Sequence, residues 1–326
     1  MKTLKSPILL FCGILYFGIT SLFVNAQNSW PQRPVKIVVP FAPGGNTDSI
    51  ARITAERLTQ GLGQLFIVEN KVGAGGAIAA DYVAKSPADG YTLLMAAMPV
   101  MAILPIITKT NFDPLRDFVA ISNVGSNPFV MGVHKSIPAT TIEEFVAYVK
   151  KNPGKFNYAS GGSGSVSHLS AALFVKRAQI EMAHISYKGG APAVTDLLGG
   201  NVQMYFGNFS ELFPHVSGGN IRIIGVSSTS RVTQLPQVAT IAESGFPGFK
   251  TLTWNGLMAP AETSPAIIAR LTEAVVKAVK TESTMAKFIQ IGVDPIGNSS
   301  KEFSETLRSD IAIWSEAAKA ANLKME

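Results

Sequence analysis

Cysteine, charge and long apolar runs are all scarce in this sequence, and each shortage excludes a class of protein. The 326 residues contain one cysteine, Cys12, which excludes an internal disulfide framework, a cysteine-rich zinc site and a CxxC redox centre. Charged residues make up 15% and apolar residues 47% of the chain, whereas a disordered chain has the opposite balance. The net charge of +6 is scattered without a block of like charges, which argues against a nucleic-acid partner.

The apolar run at the N-terminus has the layout of a secretory signal peptide. Lys2 and Lys5 precede the run at 8–24, and the small residue Ala26 follows at a cleavage position. We therefore expect residues 1–26 to be removed after Ala26, which leaves a cysteine-free protein in the periplasm. A membrane anchor is the alternative, because a run of about 17 residues lies at the lower limit for crossing a bilayer.

Strand and helix patterns alternate along the rest of the chain. The β-branched run at 35–39 is typical of a buried strand, and the apolar spacing at 142–149 is typical of an amphipathic helix. Capping-box sequences at 141–144 and 299–302 predict helix N-termini. Repeated strand–helix units predict an α/β fold with parallel sheets covered by helices, and the length suggests about two domains.

Four glycine-rich loops follow predicted strands, at 43–45, 73–76, 160–165 and 188–190. Ligands of open α/β sheets bind beyond the carboxyl ends of the strands, where glycine lets backbone amides approach an anion. Several such loops favour an anion or carboxylate site. The alternative for each loop is a tight turn without a ligand.

Motifs for catalysis and for metal binding are incomplete. Ile78 stands at the third glycine position of a GxGxxG pattern, and the run at 161–165 lacks the last glycine of a nucleophile elbow. The four histidines do not have the spacing of a zinc site. We therefore expect no cofactor and no metal. Spacing alone leaves open a Ser/His hydrolase built on Ser165 and His168, and Lys188 is either solvated or paired with a carboxylate.

Short blocks in a fixed order run over nearly the whole chain after residue 40. They are 40–45 with Asp48, 69–76, 89–93, 157–160 with Gly164, Ser165 and His168, 187–189, 192–200, and 235–236 through 243–245. This pattern resembles the Bug-type solute receptors, the periplasmic substrate-binding proteins of tripartite tricarboxylate transporters.

The resemblance implies a periplasmic binding protein of the type II-like class, with two α/β lobes, a hinge and a central ligand cleft. Lobe 1 would comprise 27–128 and 252–326, and lobe 2 would comprise 129–251. Such a receptor is not an enzyme. It is expected to act as a monomer that captures a small carboxylate and passes it to membrane permease subunits. A periplasmic sensor that signals to a kinase would share the same cleft, and both functions stay open.

The resemblance also implies which residues meet the ligand, mainly through backbone amides and ordered waters. Lobe 1 would contribute Phe41, Gly44, Gly45 and Asp48, and lobe 2 would contribute Ser160, Gly164, Ser165, His168 and Asn208.

Departures from the family pattern bear on the choice of ligand. Apolar residues replace polar ones at Ala97, Met98, Val100, Met101 and Leu104, while Ala172 and Gly207 replace acidic ones. With Ala97 and Met101 in the cleft, the ligand is expected to carry one carboxylate and an apolar or aromatic body rather than to be citrate. The alternative places Met98 and Met101 in the core and makes the ligand an ordinary dicarboxylate.

Overall fold

The computed structural model describes residues 30–187 and 189–323, with only the backbone at residue 210. The predicted signal peptide with Cys12 and Ala26, and also Lys188, lie outside the described residues. In this described part, no helix combines the length and the apolar character that crossing a bilayer requires.

The described residues form ten strands that belong to one sheet. They are β1 (Val35–Val39), β2 (Phe66–Asn70), β3 (Thr92–Ala97), β4 (Phe118–His134), β5 (Asn157–Ser160), β6 (Ala183–Ser186), β7 (Met204–Asn208), β8 (Ile221–Val226), β9 (Leu252–Pro260) and β10 (Asp294–Pro295). The strand order is β2-β1-β3-β9-β4-β7-β5-β6, with β8 and β10 also paired to β4.

Helices cover both faces of this sheet. They are α1 (Asn46–Leu62), α2 (Ala77–Ala84), α3 (Leu104–Ile107), α4 (Ile142–Lys150), α5 (Val166–Ala178), α6 (Gly190–Gly199), α7 (Phe209–Leu212), α8 (Pro265–Val279), α9 (Glu282–Gln290) and α10 (Ser300–Ala320). Short 3₁₀ segments occupy Ala74–Gly76 and Phe213–Gly218, and a π-helical turn occupies Pro99–Ile103.

Strand β4 joins two halves of the sheet. Its first eleven residues, to Pro128, pair antiparallel with β9, and from Phe129 onward it pairs with β7 and β8. Parallel strands β1, β2 and β3 lie on the β9 side, and parallel strands β5 and β6 lie on the β7 side. The fold is therefore the two-lobed α/β arrangement expected for a periplasmic binding protein. The lobe boundaries at 128/129 and 251/252 stay a prediction. Strand β4 changes its pairing partners between Pro128 and Phe129, at the first of these boundaries, and we call this the exchange point.

Alternation of side chains along the strands sorts the core into layers. In β1, Val35, Ile37 and Val39 pack with the apolar faces of α1 and α8, whereas Val38 packs on the opposite face of the sheet with α2. The long helix α10 packs against both β4 and α5. An ion pair of 2.7 Å between Arg177 on α5 and Glu316 on α10 reinforces that contact. The C-terminal helix thus connects the two halves of the sheet.

Both predicted capping signals mark helix starts, but only one forms the reciprocal box. At α10, Ser299 Oγ accepts from the Glu302 backbone N–H, and the Glu302 carboxylate accepts from the Ser299 N–H at 2.8 Å. At α4, Thr141 Oγ1 caps Glu144, but the Glu144 carboxylate accepts from Thr140 instead. Each arrangement satisfies amides at the exposed end of a helix.

Candidate functional site

Two glycine loops form the centre of the candidate site. The first loop, at 40–45, follows β1, and the second loop, at 160–165, follows β5. The first loop, 40–45, joins β1 to α1, and its neighbour Asn46 donates from Nδ2 to Asn127 Oδ1 at 2.9 Å. On the other side, Asn208 at the end of β7 pairs with Phe129. The start of α1, next to the first loop, therefore contacts Asn127, and the end of β7 pairs with Phe129, two residues further along β4.

Asp48 holds the first loop in shape rather than offering a free carboxylate. Its oxygens accept from the Gly44 N–H at 2.9 Å, from Arg52 Nε at 2.8 Å and from Asn70 Nδ2 at 2.9 Å. Burial alone would raise the pKa of Asp48. Hydrogen bonds from Arg52, Gly44 and Asn70 outweigh that effect and keep this pKa below its usual value.

The backbone of the first loop is open to solvent. Gly44 and Gly45 are exposed, Phe41 is half-buried, and Gly44 has a φ of +84°, a conformation that favours glycine. Helix α1 begins directly after Gly45, where no side chain caps the helix. Apart from the Gly44 amide, which Asp48 accepts, the loop therefore presents uncapped backbone amides at the positive end of a helix, which suits an anion.

Most of the apolar residues at the end of β3 and directly after it lie in the core. Ala97, Met98, Val100 and Met101 have 0–2% of their surface exposed and belong to the main core cluster. Met98 and Met101 thus lie in the core, as the alternative describes, and the ligand contacts expected of Ala97 and Met101 stay predictions.

Helix α3 supplies an apolar surface between the glycine loop at 73–76 and the second loop, at 160–165. Leu104 Cδ1 is 3.4 Å from the position that a β-carbon at Gly75 would take, and Ile107 Cδ1 is 3.3 Å from the equivalent position at Gly164. Leu104 and Ile107 are both partly exposed. One turn of helix thus contacts a glycine loop from each half of the sheet.

The second loop is closed by hydrogen bonds from its own serines and from His168. Ser165 Oγ caps α5 by accepting from the His168 N–H, and it donates to the Gly162 carbonyl at 2.6 Å. The ring Nδ1 of His168 accepts from the Gly164 N–H at 3.0 Å. Ser167 Oγ accepts from the Gly161 N–H at 2.9 Å. These bonds fix the loop, but they occupy the amides of Gly161 and Gly164, which the sequence predicted to be available to a ligand.

Two histidines stack behind this loop. The rings of His168 and His184 lie 3.8 Å apart and nearly parallel, and His184 Nε2 is 2.7 Å from Ser160 Oγ. Burial, with a smaller effect of His184, lowers the pKa of His168 to about 4, and burial also lowers the pKa of His184. Both rings are neutral at pH 7, so they offer hydrogen bonds to a ligand but no positive charge.

The geometry does not build the Ser/His pair that the spacing left open. Ser165 bonds the backbone of His168, and the His168 ring is engaged by Gly164. Ser160 does bond His184, but Ser160 has no exposed surface. Within the described ranges, no three acidic, histidine or cysteine side chains converge as metal ligands would.

Several polar residues near the two loops were not predicted from the sequence. Asn46 and Asn127 bond each other beside the first loop. The others lie around the second loop and are Ser167, His184, Tyr205 and Glu211. The position of His184 follows from the register of two strands. Strands β5 and β6 pair Tyr158 with His184, and this pairing brings His184 beside Ser160. Of the predicted ligand contacts, Asn208 pairs with Phe129 at the exchange point. The roles of Phe41, Gly44, Gly45, Ser160, Gly164, Ser165, His168 and Asn208 as ligand contacts stay predictions.

Comparison with known proteins gives concordant matches over most of the chain. Residues 50–323 match the family model described as "Tripartite tricarboxylate transporter family receptor". The chain is 34% identical to Protein BugT of Bordetella pertussis over 303 residues, which are 92% of this chain and 93% of BugT.

Solved structures with similar folds include two from Rhodopseudomonas palustris. Rpa4515 with adipate has a TM-score of 0.73 and 35% sequence identity, and the match covers 91% of this chain and 100% of that one. MatC with bound malate has a TM-score of 0.68 and 29% identity, and the match covers 88% of this chain and 99% of that one.

Proposed function

This chain belongs to the tripartite tricarboxylate transporter receptor family, and from that membership we propose that it captures a small carboxylate between its two lobes for uptake. It does so in the periplasm, after removal of residues 1–26. It acts as a monomer and hands the ligand to the membrane subunits of a tripartite transporter.

The observation that carries the proposal is the presence of one neutral donor loop in each of the two halves of the sheet that β4 joins. The loop at 40–45 presents exposed amides at the start of α1, and the loop at 160–165 lies at the start of α5. Helix N-termini and backbone amides stabilise an anion without a buried cation. A carboxylate bound there would touch both halves of the sheet, and its binding would favour their approach.

The ligand, we infer, has one carboxylate and an apolar or aromatic body. Rpa4515 was solved with adipate and MatC with malate, so small carboxylates are ligands of relatives. In this chain, the partly exposed Leu104 and Ile107 place an apolar surface between the loop at 73–76 and the loop at 160–165. Met98 and Met101 do not contribute to this surface, since both are buried. The support for an apolar body therefore comes from α3.

Thermal unfolding of the mature protein with a panel of acids tests this proposal. We expect aromatic and medium-chain monocarboxylates to stabilise the protein more than succinate or citrate at equal concentration. A ligand at a hundredfold excess over its Kd adds about 2.7 kcal/mol to the free energy of unfolding. No response to any carboxylate would contradict the receptor function. A response to succinate and citrate alone would contradict the apolar body.

A pair of isoleucine variants separates the α3 surface from general effects on stability. Ile107→Thr makes the surface next to Gly164 polar and is expected to weaken the response to aromatic acids. Ile67→Thr makes the same chemical change at an exposed residue of β2, and should leave the response unchanged.

A further inference from the structure

Glu211 places a carboxylate among the candidate contacts of the second half of the sheet. It lies on the short helix α7, directly after β7 and Asn208. Its Oε1 accepts from Asn208 Nδ2 at 3.2 Å, and its Oε2 accepts from the Tyr205 hydroxyl at 3.1 Å. An amide and a phenol are neutral donors, so these two bonds orient the carboxylate without cancelling its charge.

The carboxylate lies over the glycine turn that starts α6. A β-carbon at Gly190 would be 3.0 Å from both Glu211 oxygens, and a β-carbon at Gly207 would be 3.1 Å from Oε2. The close approach depends on the absence of side chains at these two glycines. Glu211 thus lies between the turn at 189–190 and the end of β7. Without Glu211, the positive end of α6 would attract an anionic group of the ligand to this place.

The position of Glu211 is fixed through the buried Tyr205. Tyr205 has 2% of its surface exposed, and its hydroxyl also hydrogen-bonds Ser167, which binds the Gly161 amide. Burial and the neighbouring negative charge of Glu211 raise the pKa of Tyr205, so the phenol stays protonated and keeps donating. The carboxylate is therefore held in one place relative to the second loop.

We propose that Glu211 is a specificity-determining residue. It selects ligands that direct a hydrogen-bond donor, either a hydroxyl or an ammonium group, toward Asn208 and Gly190. A second carboxylate at this place would meet a fixed like charge, which costs affinity. The proposal rests on the proposed receptor function, and it narrows the ligand class to monocarboxylates that carry a donor group at the far end.

Affinities for four acids with the same six-carbon skeleton test this proposal. Isothermal titration would compare adipate, 6-hydroxyhexanoate, 6-aminohexanoate and hexanoate against the mature protein and against its Glu211→Gln variant. Glutamine keeps the size and one acceptor oxygen of glutamate but removes the charge. Glu143→Gln, at an exposed residue of α4 in the same half, gives the same change in net charge as a control.

We expect the wild-type protein to prefer the hydroxy or amino acid over adipate by at least tenfold. Glu211→Gln should shift that ratio toward adipate by at least tenfold, while Glu143→Gln leaves it unchanged. Preference for the amino acid over the hydroxy acid identifies an ammonium, and the reverse identifies a hydroxyl.

An affinity ratio that is the same in the wild type and in Glu211→Gln would overturn the role of Glu211 and leave the receptor function standing. Absence of binding by all four acids and by the wider panel of carboxylates would overturn both. An unfolding curve shows whether Glu211→Gln is folded. If it is not, the preference of the wild-type protein decides the test. Tighter binding of adipate than of either donor-bearing acid by the wild type would contradict the proposal.

Discussion

Asp48→Ala lowers the affinity for a carboxylate ligand by more than tenfold and the free energy of unfolding by about 3 kcal/mol. The substitution removes the group that accepts from the Gly44 amide, from Arg52 and from Asn70. Asn70 also donates to the Phe41 carbonyl, so both ends of the first loop lose support. Breaking buried hydrogen bonds to a charged group costs about 1.5–3 kcal/mol each, less where a partner is exposed as Arg52 is.

Titration calorimetry and urea unfolding measure the two effects of Asp48→Ala. Asp48→Asn keeps an acceptor for the Gly44 amide, so its affinity should lie between those of the wild type and of Asp48→Ala. Glu56→Ala on the same helix removes an exposed ion pair with Lys287 and is expected to cost no more than about 1 kcal/mol, with unchanged affinity. Wild-type affinity in Asp48→Ala would show that the first loop does not hold the ligand.

Acidification from pH 7 to pH 4 costs the native state about 3 kcal/mol through His168. The pKa of His168 is about 4 in the folded chain against 6.5 for an ordinary histidine. The unfolded chain therefore takes up a proton below pH 6.5 that the folded chain takes up only near pH 4. The stability is fully present above pH 6.5 and is lost as the pH falls to 4, at about 1.4 kcal/mol per pH unit. The lowered pKa of His184 acts in the same direction.

His168→Asn removes this titration while its side-chain oxygen still accepts from the Gly164 amide. Urea unfolding at pH 7, 5.5 and 4.5 should show a smaller loss of stability in this variant than in the wild type. His215→Asn changes an exposed histidine and should retain the wild-type dependence. Identical pH profiles for the wild type and His168→Asn would contradict the buried, neutral state of His168.

The sequence predicted the strands and helices whose burial follows from local periodicity. Strand β1 lies where its β-branched run predicted it, at Val35–Val39, and the capping box at Ser299 starts α10. The first half of β4 gave no such signal, because Ser122, Asn123 and Asn127 are polar. All three are buried there, and distant groups satisfy the side chains of Ser122 and Asn127. Ser122 Oγ donates to the Asn298 carbonyl, and Asn127 donates to the Gly292 carbonyl.

The candidate site shows the same division between local and distant information. Loops rich in glycine after strands were visible in the sequence, and the structure places the loops after β1 and β5 at the starts of α1 and α5, one in each half of the sheet. The direction of Met98 and Met101 was not visible, because a π-helical turn at Pro99–Ile103 changes the periodicity after β3. The place of Glu211 depends on Gly190, 21 positions away, and no local pattern marks that contact.

Native mass spectrometry of the purified mature chain tests carboxylate capture most directly. The expected spectrum shows a one-to-one complex with a small carboxylic acid, released intact on denaturation, and Asp48→Ala yields the ligand-free mass alone. A wild-type spectrum that stays ligand-free with millimolar mono- and dicarboxylates present would contradict carboxylate capture by this chain.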